Sequence, residues 1–484
     1  MKNLNHKYYF NLAHNNKSDQ KSKKWSWIMS LDAILDHVDG DLENSIARLM
    51  ELMRIESIST DPQYSDECVA AAEWLVDDLI SIGFNAEIRE TPGHPMVMAT
   101  GGKGGTHTLF YGHYDVQPID PIELWNNHPF KPKLEETKKG PVIRGRGASD
   151  DKGQLMTFIE ACRAYKEVTG ELPNRISVFF EGEEESGSPS LVPYLNDHID
   201  ELKADIALIC DTGMVEKNTP SIVTMLRGMV SQEITIKGPT KDLHSGMYGG
   251  PSINPIRVLT KALGAMHDDN GRVTLEGFYE GVEEIPEKIM QQWDNLSFDE
   301  NSFLSEVGLK IPAGEKGRSV LEQIWSRPTA EINGIWGGYT GEGFKTVLPS
   351  EAHAKVSFRL VGKQNPDKIQ SAFNRHLEKY LPEDCTLEYK LHGSSMASNM
   401  AIDNPSFEIA RNALSSEWEN SGVYVGCGGS IPIAGHFQKI IGLETMLIGF
   451  AQDDDSIHSP NEKYDIRSFH KGIRSWVRIL HALA

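Results

Sequence analysis

Residues 108–118 read TLFYGHYDVQP, a short apolar run that ends in a histidine and an aspartate. Three other runs have the same form. Ile176–Phe180 precedes Glu-Gly-Glu-Glu-Glu-Ser-Gly, Ile206–Cys210 precedes Asp-Thr-Gly, and Thr445–Phe450 precedes a stretch with three aspartates and a histidine. Short apolar runs bounded by turn residues predict buried strands. Each predicted strand is therefore followed by carboxylates or a histidine.

Helical segments lie between these strands. The spacing of apolar residues predicts a helix over Asp66–Ile82 and another over Lys152–Val168. Strands that alternate with helices predict an α/β domain with a largely parallel sheet flanked by helices. In such sheets ligands bind beyond the carboxyl ends of the strands, which is where the polar residues stand in this sequence.

Residues 228–395 follow a different pattern. Strand-like stretches at Val230–Ile236, Ala352–Leu360 and Thr386–Leu391 are separated by helical segments, of which Pro366–Tyr380 is the clearest. This order predicts a smaller α+β domain inserted into the first one. The expected organisation is a disordered tail at 1–30, a catalytic domain at 31–227 and 396–484, and the inserted domain at 228–395.

Composition excludes several classes of protein. The 484 residues include 48 lysines and arginines and 69 aspartates and glutamates, which gives a net charge of −21. This balance argues against nucleic acid as a partner, because nucleic-acid binding requires clustered cations, and against an anionic membrane surface. No run approaches the ~18 apolar residues that span a bilayer. The five cysteines are dispersed without a CxxC motif, so a cytoplasmic location is expected rather than a disulfide framework or a cysteine zinc site.

The first 30 residues differ from the rest of the chain. They hold six lysines and one aspartate and lack the apolar centre of a secretory signal. We interpret them as a disordered tail. A translation start at Met29 and a basic arm that binds a partner are the alternatives.

The polar residues at the strand ends indicate chemistry when they are taken together. The set comprises His113, Asp115, Asp150, Asp151, Glu183–Glu185, Asp211 and His458. Taken singly, these residues also fit strand-end turns, helix caps and solvated faces. As a set, imidazoles and carboxylates are the ligands of a zinc or manganese pair. Two metals ~3.5–4 Å apart can share a bridging carboxylate and a bridging hydroxide, and this set has enough members to leave one carboxylate as a base.

Six strings carry a family resemblance. In chain order they are GHYDVQP, GRGASDDKG, EGEEESGS, KDLHSG, GGSIP and HSPNEK. They resemble the co-catalytic di-zinc peptidases that include carnosine dipeptidases and cytosolic non-specific dipeptidase. Acetylornithine deacetylase and succinyl-diaminopimelate desuccinylase are more distant members. The likeness extends from about residue 40 to the C-terminus.

The resemblance implies a role for each polar residue. Glu184 is implied to be the general base, Asp115 to support His113, and Asp150 to bridge both metals. The other implied ligands are His113 and Asp211 on one metal, and Glu185 and His458 on the other. One departure from the family is that Cys210-Asp211-Thr212 stands where the relatives often have Ser-Asp-Asn, but the ligand aspartate is retained.

For the inserted domain, the resemblance implies dimerisation or lid function. The chain is expected to form a homodimer in which His244, from KDLHSG, reaches the active site of the partner subunit. The residues implied to bind the substrate, in particular its C-terminal carboxylate, are Arg359, Thr346, Gly428, Gly429 and Ser430.

The resulting hypothesis is a metal-dependent dipeptidase that cleaves dipeptides or short peptides with a free C-terminus by a metal-bridged hydroxide. It would hold two divalent ions per subunit, zinc in the first instance and manganese as the alternative. An N-acyl-amino-acid amidohydrolase is the alternative enzyme. A binding protein that has lost activity would lack a ligand or the base, and this chain has all of them.

Overall fold

The computed structural model describes residues 31–429 and 431–484. The tail expected at residues 1–30 and the predicted substrate residue Ser430 therefore lie outside the described residues. Residues 31–40 are helical. The strands are β1 (Asn85–Arg89), β2 (Met96–Gly101), β3 (Thr108–His113), β4 (Lys133–Thr137), β5 (Gly140–Arg144), β6 (Ile176–Glu181), β7 (Ile206–Ile209), β8 (Ser221–Leu226), β9 (Gly228–Lys237), β10 (Leu243–His244), β11 (Thr329–Gly337), β12 (Val347–Leu348), β13 (Glu351–Leu360), β14 (Thr386–Ser395), β15 (Ser398–Asn399), β16 (Val423–Cys427), β17 (Thr445–Leu447) and β18 (Lys463–Asp465).

Helices separate most of these strands. They are α1 (Leu42–Met53), α2 (Ser65–Ser81), α3 (Lys152–Thr169), α4 (Leu191–Asp197), α5 (Ser245–Tyr248), α6 (Pro255–Gly264), α7 (Glu287–Asp294), α8 (Glu300–Glu306), α9 (Val320–Trp325), α10 (Pro366–Tyr380), α11 (Pro405–Glu417), α12 (Pro432–His436) and α13 (Ile466–Leu483). The helices expected from sequence correspond to α2, α3 and α10. Helix α3 ends at Gly170, whose φ of +79° is left-handed and needs a residue without a Cβ.

The chain divides into two compact units. The first extends to Ile222 and also contains Ile402–Val423 and His436–Ala484, and the second contains Val223–Ala401 and Tyr424–Gly435. Residues 424–435, which the sequence placed in one domain with residues 436–484, belong here to the second unit. Two hydrogen bonds between residues distant in sequence account for this: Trp293 Nε1 donates to the carbonyl of Tyr424 over 2.8 Å, and Tyr424 N donates to Gln292 Oε1 over 2.7 Å.

The sheet of the first unit runs in the order β1-β2-β6-β3-β7-β17. Strands β6, β3, β7 and β17 are parallel, while β1 and β2 are antiparallel to their neighbours. The α/β fold class with a largely parallel sheet is therefore confirmed. Thr108 lies opposite both Ile176 and Ile206, so these three strands start level and their carboxyl ends emerge at one edge.

Aromatic packing joins this sheet to α3 and α13. The rings of Phe110 and Phe158 stack with centroids 3.7 Å apart, and Trp476 meets both edge-on at 5.6 Å. The indole N–H of Trp476 donates to Thr157 Oγ1 over 3.1 Å, so this buried polar group has a partner. The contact secures α3, whose first residue follows Asp151 directly.

The second unit has its own antiparallel sheet, in the order β11-β13-β9-β14. One face of β9 and β13 is apolar and packs with α6 and α10 into a separate core. The three strands expected from sequence are present. Strand β11 was not expected, because Gly334 and Gly337 interrupt its pattern and most of its side chains are exposed.

No helix within residues 31–429 or 431–484 is both long and apolar enough to cross a membrane.

Candidate metal centre

The site residues of the first unit lie at the carboxyl edge of the parallel strands. His113 is the last residue of β3, and Asp211 follows β7 by two residues. Glu184 and Glu185 form a 3-10 turn after β6, and Asp150 precedes α3. The parallel arrangement therefore brings together groups that are dispersed along the chain.

Two ligand groups share one carboxylate. The first consists of His113, Asp150 and Asp211, the second of Asp150, Glu185 and His458, and the potential ligand atoms in each group lie within 4.8 Å of one another. Asp150 Oδ1 is 3.1 Å from His113 Nε2, and its Oδ2 is 2.8 Å from His458 Nε2. Each oxygen of Asp150 therefore faces a different imidazole, which is the geometry of a bridging ligand.

The carboxylates of this cluster are close enough together to be stabilised by bound cations. Burial raises the pKa of Asp211 well above its ordinary value, and the carboxylates of Asp150, Glu184 and Glu185 raise it further. One oxygen of Glu185, Oε1, is buried without a hydrogen-bond partner. Carboxylates that share a buried space are costly to ionise unless positive charge compensates them. A donor set of imidazole and carboxylate groups with an unused oxygen fits a pair of divalent ions such as zinc or manganese.

The two imidazoles lie among carboxylates that favour their protonated forms. Burial lowers the pKa of His113, but its hydrogen bonds with Asp115 and Asp150 outweigh burial and raise the pKa well above 6.5. The hydrogen bond to Asp150, followed by that to Glu185, raises the pKa of His458 to about 10. Metal binding needs neutral imidazoles, so bound cations would replace these protons.

Asp115 organises more of the site than the sequence predicted. Its carbonyl lies 3.1 Å from His113 Nδ1 and its carboxylate 3.4 Å from the same nitrogen, which orients the imidazole as expected. The carboxylate also accepts the backbone N–H groups of Glu184 at 3.2 Å and Glu185 at 3.0 Å. Ser59 Oγ donates to it as well. One buried carboxylate thus sets the position of a predicted ligand, of the predicted base and of His113.

The three consecutive glutamates have different environments. Glu183 is buried and accepts from the N–H groups of His94 and Ser190, both at 2.9 Å, so it has a structural role. Glu185 belongs to a ligand group and accepts from Gln117 Nε2 at 2.6 Å. The Glu184 carboxylate has no hydrogen-bond partner among the described residues, and burial raises its pKa. Of the three, Glu184 is therefore the one that is free to exchange a proton.

Sequence reasoning missed Glu462. This residue is completely buried and accepts from the backbone N–H groups of Ser149 at 2.9 Å and Asp150 at 3.0 Å. Its second oxygen accepts from Gly147 N at 3.0 Å and forms an ion pair with Arg146 at 2.8 Å. Glu462 therefore joins the loop of the shared ligand to the loop of His458. Its place within HSPNEK was the only signal in the sequence.

The remaining predicted residues lie in the second unit. His244 ends β10 and is exposed, and its Nδ1 accepts from Gly246 N at 3.0 Å. The carbonyl of Thr346 accepts from Ser245 N at 3.0 Å, so Thr346 and His244 are neighbours on the β10–β12 ribbon. Arg359 lies on β13.

The loop at Gly428 and Gly429 is held by Arg227, which the sequence did not single out. Arg227 Nε donates to the carbonyl of Gly428 at 3.0 Å, and Arg227 N donates to that of Gly429 at 3.2 Å. The backbone of this loop is therefore positioned by a neighbouring arginine in the same unit.

Comparison with known proteins extends over nearly the whole chain. The model of peptidase family M20/M25/M40 matches residues 109–482. A Cys-Gly metallodipeptidase of Schizosaccharomyces pombe is 29% identical, with 94% of this chain and 99% of that protein covered. The crystal structure of human carnosine dipeptidase 1 has a TM-score of 0.75 at 25% identity and covers 94% of this chain and 98% of its own. That of an M20 family metallo-carboxypeptidase from Sulfolobus solfataricus has a TM-score of 0.76 at 29% identity and covers 91% and 99%.

We expect Glu462→Gln to weaken metal binding, because the amide can no longer accept from all four donors and leaves Arg146 buried without its anion. Loss of a group that orients a metal ligand typically lowers affinity roughly 10- to 100-fold. The measurement is the zinc dissociation constant by competition with a chromophoric chelator, with circular dichroism to verify folding. Glu160→Gln is the matched control, since Glu160 is also buried and pairs with Arg48 and Arg163 but contacts no ligand. Equal zinc affinity in both variants and the wild type would contradict the positioning role of Glu462.

Proposed function

The chain belongs to peptidase family M20/M25/M40, which confirms the resemblance to the di-zinc peptidases, and we propose that it is a metal-dependent dipeptidase. The observation that carries the proposal is the Asp150 carboxylate, shared between two ligand groups beside the unpartnered carboxylate of Glu184. The relatives that match along 94% of the chain include proteins named as a Cys-Gly metallodipeptidase and a carnosine dipeptidase.

Two divalent ions per subunit would be held by the two ligand groups. His113, Asp150 and Asp211 would hold one ion, and Asp150, Glu185 and His458 the other. We propose zinc, with manganese as the alternative, because nitrogen and carboxylate ligands accept both.

The reaction is hydrolysis of the peptide bond. When bound, the metal pair would activate a water molecule and polarise the scissile carbonyl. Glu184 would accept the proton of that water on its carboxylate and then donate it to the nitrogen of the leaving amine. Burial raises the pKa of Glu184, the nearby His113 lowers it, and the carboxylates of Glu185 and Asp115 raise it; a raised pKa suits a carboxylate that both takes and returns a proton. Asp115 fixes the backbone from which Glu184 projects.

Substrate recognition is assigned to the second unit. We propose that Arg359, Thr346 and the Gly428–Ser430 loop bind the C-terminal carboxylate of the substrate. Arg359 supports this because it forms no ion pair with any described carboxylate, and guanidinium groups bind carboxylates with two parallel hydrogen bonds.

We further propose that His244 stabilises the oxyanion in the partner subunit of a homodimer. Its exposed ring supports this, because Nδ1 accepts a hydrogen bond from Gly246 N, which leaves Nε2 protonated and able to donate. A cytoplasmic location is also proposed, supported by the buried free thiols of Cys68, Cys162, Cys210 and Cys385.

The proposed activity is tested by a hydrolysis screen with dipeptides, tripeptides and N-acetyl amino acids. We expect dipeptide hydrolysis that disappears on chelation and returns with zinc or manganese.

Amidation of the substrate C-terminus should lower kcat/KM about tenfold to more than a hundredfold, because a charge-assisted hydrogen bond worth about 1.5–3 kcal/mol is lost. Faster cleavage of N-acetyl amino acids would instead favour an amidohydrolase. Full activity in protein shown by elemental analysis to be metal-free would contradict the mechanism.

Substitution of Glu184 and substitution of Asp150 are expected to affect different properties of the protein, turnover in the first case and metal binding in the second. Glu184→Gln should retain both metals but lose turnover by a factor on the order of 10²–10⁴, the usual contribution of a general base. Asp150→Ala should lose both metals, because each ligand group depends on it. Metal content by mass spectrometry of the metal-loaded protein, measured beside kcat, separates the two cases. Near-normal turnover of Glu184→Gln would refute the base assignment.

The role of His244 is tested by complementation between subunits. His244→Ala should keep its metals and lose turnover by about 10²–10³, the cost of one oxyanion donor. Mixing it with inactive Glu184→Gln protein under conditions of subunit exchange should restore activity, since one heterodimer site would then be intact. If exchange is demonstrated by mass spectrometry and no activity returns, His244 does not act across a dimer.

A further inference from the structure

The loop formed by residues 456–462 carries the predicted ligand His458 and has an unusual backbone. Ser456, His458 and Asn461 have φ angles of +58°, +59° and +67°. This left-handed conformation is uncommon for residues that have a side chain, and it persists where the surrounding structure enforces it. We refer to residues 456–462 as the His458 loop. Contacts with the rest of the first unit are therefore needed to hold this ligand in place.

His458 is more exposed than the other two members of its ligand group. Its side chain is 52% exposed, whereas the side chains of Asp150 and Glu185 are 11% and 3% exposed. Close packing in a protein interior restricts a buried side chain to one arrangement, but much of the His458 ring has no such packing. The position of this imidazole therefore depends on how firmly the backbone of the His458 loop is held.

The side chain of Asn461 fastens the loop to a second segment of the first unit. Asn461 Oδ1 accepts from Asn126 N at 2.7 Å, and its Nδ2 donates to the carbonyl of Leu124 at 2.8 Å. The backbone carbonyl of Asn461 accepts from Arg144, whose Nε donates to Glu135 Oε2 at 2.6 Å. Asparagine also tolerates the left-handed conformation better than most residues. Asn461 therefore combines the backbone that this turn requires with an amide that binds a neighbouring main chain in both directions.

The segment that Asn461 contacts is itself well anchored. Trp125 Nε1 donates to the carbonyl of Ile119 at 2.8 Å. The guanidinium carbon of Arg146 lies 5.3 Å from the centre of the Trp125 ring, a cation–π contact. Arg146 Nη2 also donates to the carbonyl of Pro118 at 2.9 Å. The two hydrogen bonds of the Asn461 amide thus attach the His458 loop to a part of the chain whose own position is fixed by several contacts.

We propose that Asn461 is a positioning residue for one of the two metal ions. Its amide would hold the His458 loop so that His458 Nε2 stays directed at Asp150 Oδ2, 2.8 Å away, and at Glu185 Oε2, 3.2 Å away. The inference rests on the proposed function, because it requires that this ligand group binds an ion. The other ligand group contains no residue of the His458 loop. Asn461 should therefore affect the affinity for one ion and not for the other.

The test measures both zinc dissociation constants of Asn461→Gly by competition with a chromophoric chelator. Glycine adopts a positive φ without strain, so this variant removes the side-chain hydrogen bonds and keeps the backbone conformation accessible. One constant should rise roughly 10- to 100-fold, the usual effect of losing a group that orients a metal ligand, while the other stays at the wild-type value. Asn420→Gly is the matched control, because Asn420 Nδ2 donates to Thr219 Oγ1 at 2.9 Å in the same unit and lies outside both ligand groups. Wild-type constants in Asn461→Gly, or an equal loss in Asn420→Gly, would overturn the inference.

A double-mutant cycle distinguishes positioning of His458 from a general loss of stability. In His458→Ala protein the loop no longer carries a ligand, so adding Asn461→Gly should leave the affinity for the remaining zinc ion unchanged. A further loss of affinity in the double variant would show that Asn461 acts on the whole metal centre through the fold, and it would overturn the inference.

Zinc affinity and turnover are measured separately, which distinguishes this inference from the proposed function. If the wild type binds two zinc ions and hydrolyses no dipeptide, the proposed function fails, and the zinc constants of Asn461→Gly still decide whether Asn461 has the positioning role. If the wild type hydrolyses dipeptides and Asn461→Gly binds both ions as tightly as the wild type, the proposed function stands and the role of Asn461 is refuted.

Discussion

The carboxylate of Asp150 accepts from two imidazoles at once, and the first unit is arranged to keep it there. Asp150 is buried beside Asp211 and Glu185, so three acidic groups share a space with little water. In such surroundings like charges repel far more strongly than at the surface. Compensating positive charge stabilises such an arrangement. Protonated imidazoles of His113 and His458 can supply it, since their hydrogen bonds to carboxylates raise the pKa of both, and two divalent ions would supply it in the proposed enzyme.

Backbone hydrogen bonds to buried carboxylates hold this cluster in place. Glu462 accepts the N–H groups of Ser149 and Asp150, and Asp115 accepts those of Glu184 and Glu185. In each case an acidic residue outside the ligand set positions a residue inside it. This arrangement leaves the ligand side chains free to face a metal, because their main chain is already fixed.

In the second unit, two positively charged side chains lie near each other. In a chain with a net charge of −21, burial lowers the pKa of Arg227, the nearby guanidinium of Arg359 lowers it further, and the carboxylate of Glu331 acts in the opposite direction. Arg227 also holds the backbone of Gly428 and Gly429, because it donates hydrogen bonds to both of their carbonyls.

The sequence by itself determined the fold class and the bounds of α10, because strand and helix periodicity are local properties of the chain. The two ligand groups were implied by the family resemblance, and the members of each lie close together because parallel strands end at one edge. Only the tertiary structure decided which neighbours those residues meet. Glu183 and Glu184 are adjacent residues of the same type, yet only the Glu183 carboxylate accepts hydrogen bonds from backbone N–H groups. Glu462 lies 312 positions from Asp150, and residues 424–435 join the second unit through Trp293. Such long-range partners leave no periodic signal, because the energy of a buried hydrogen bond depends on proximity in space and not on order along the chain.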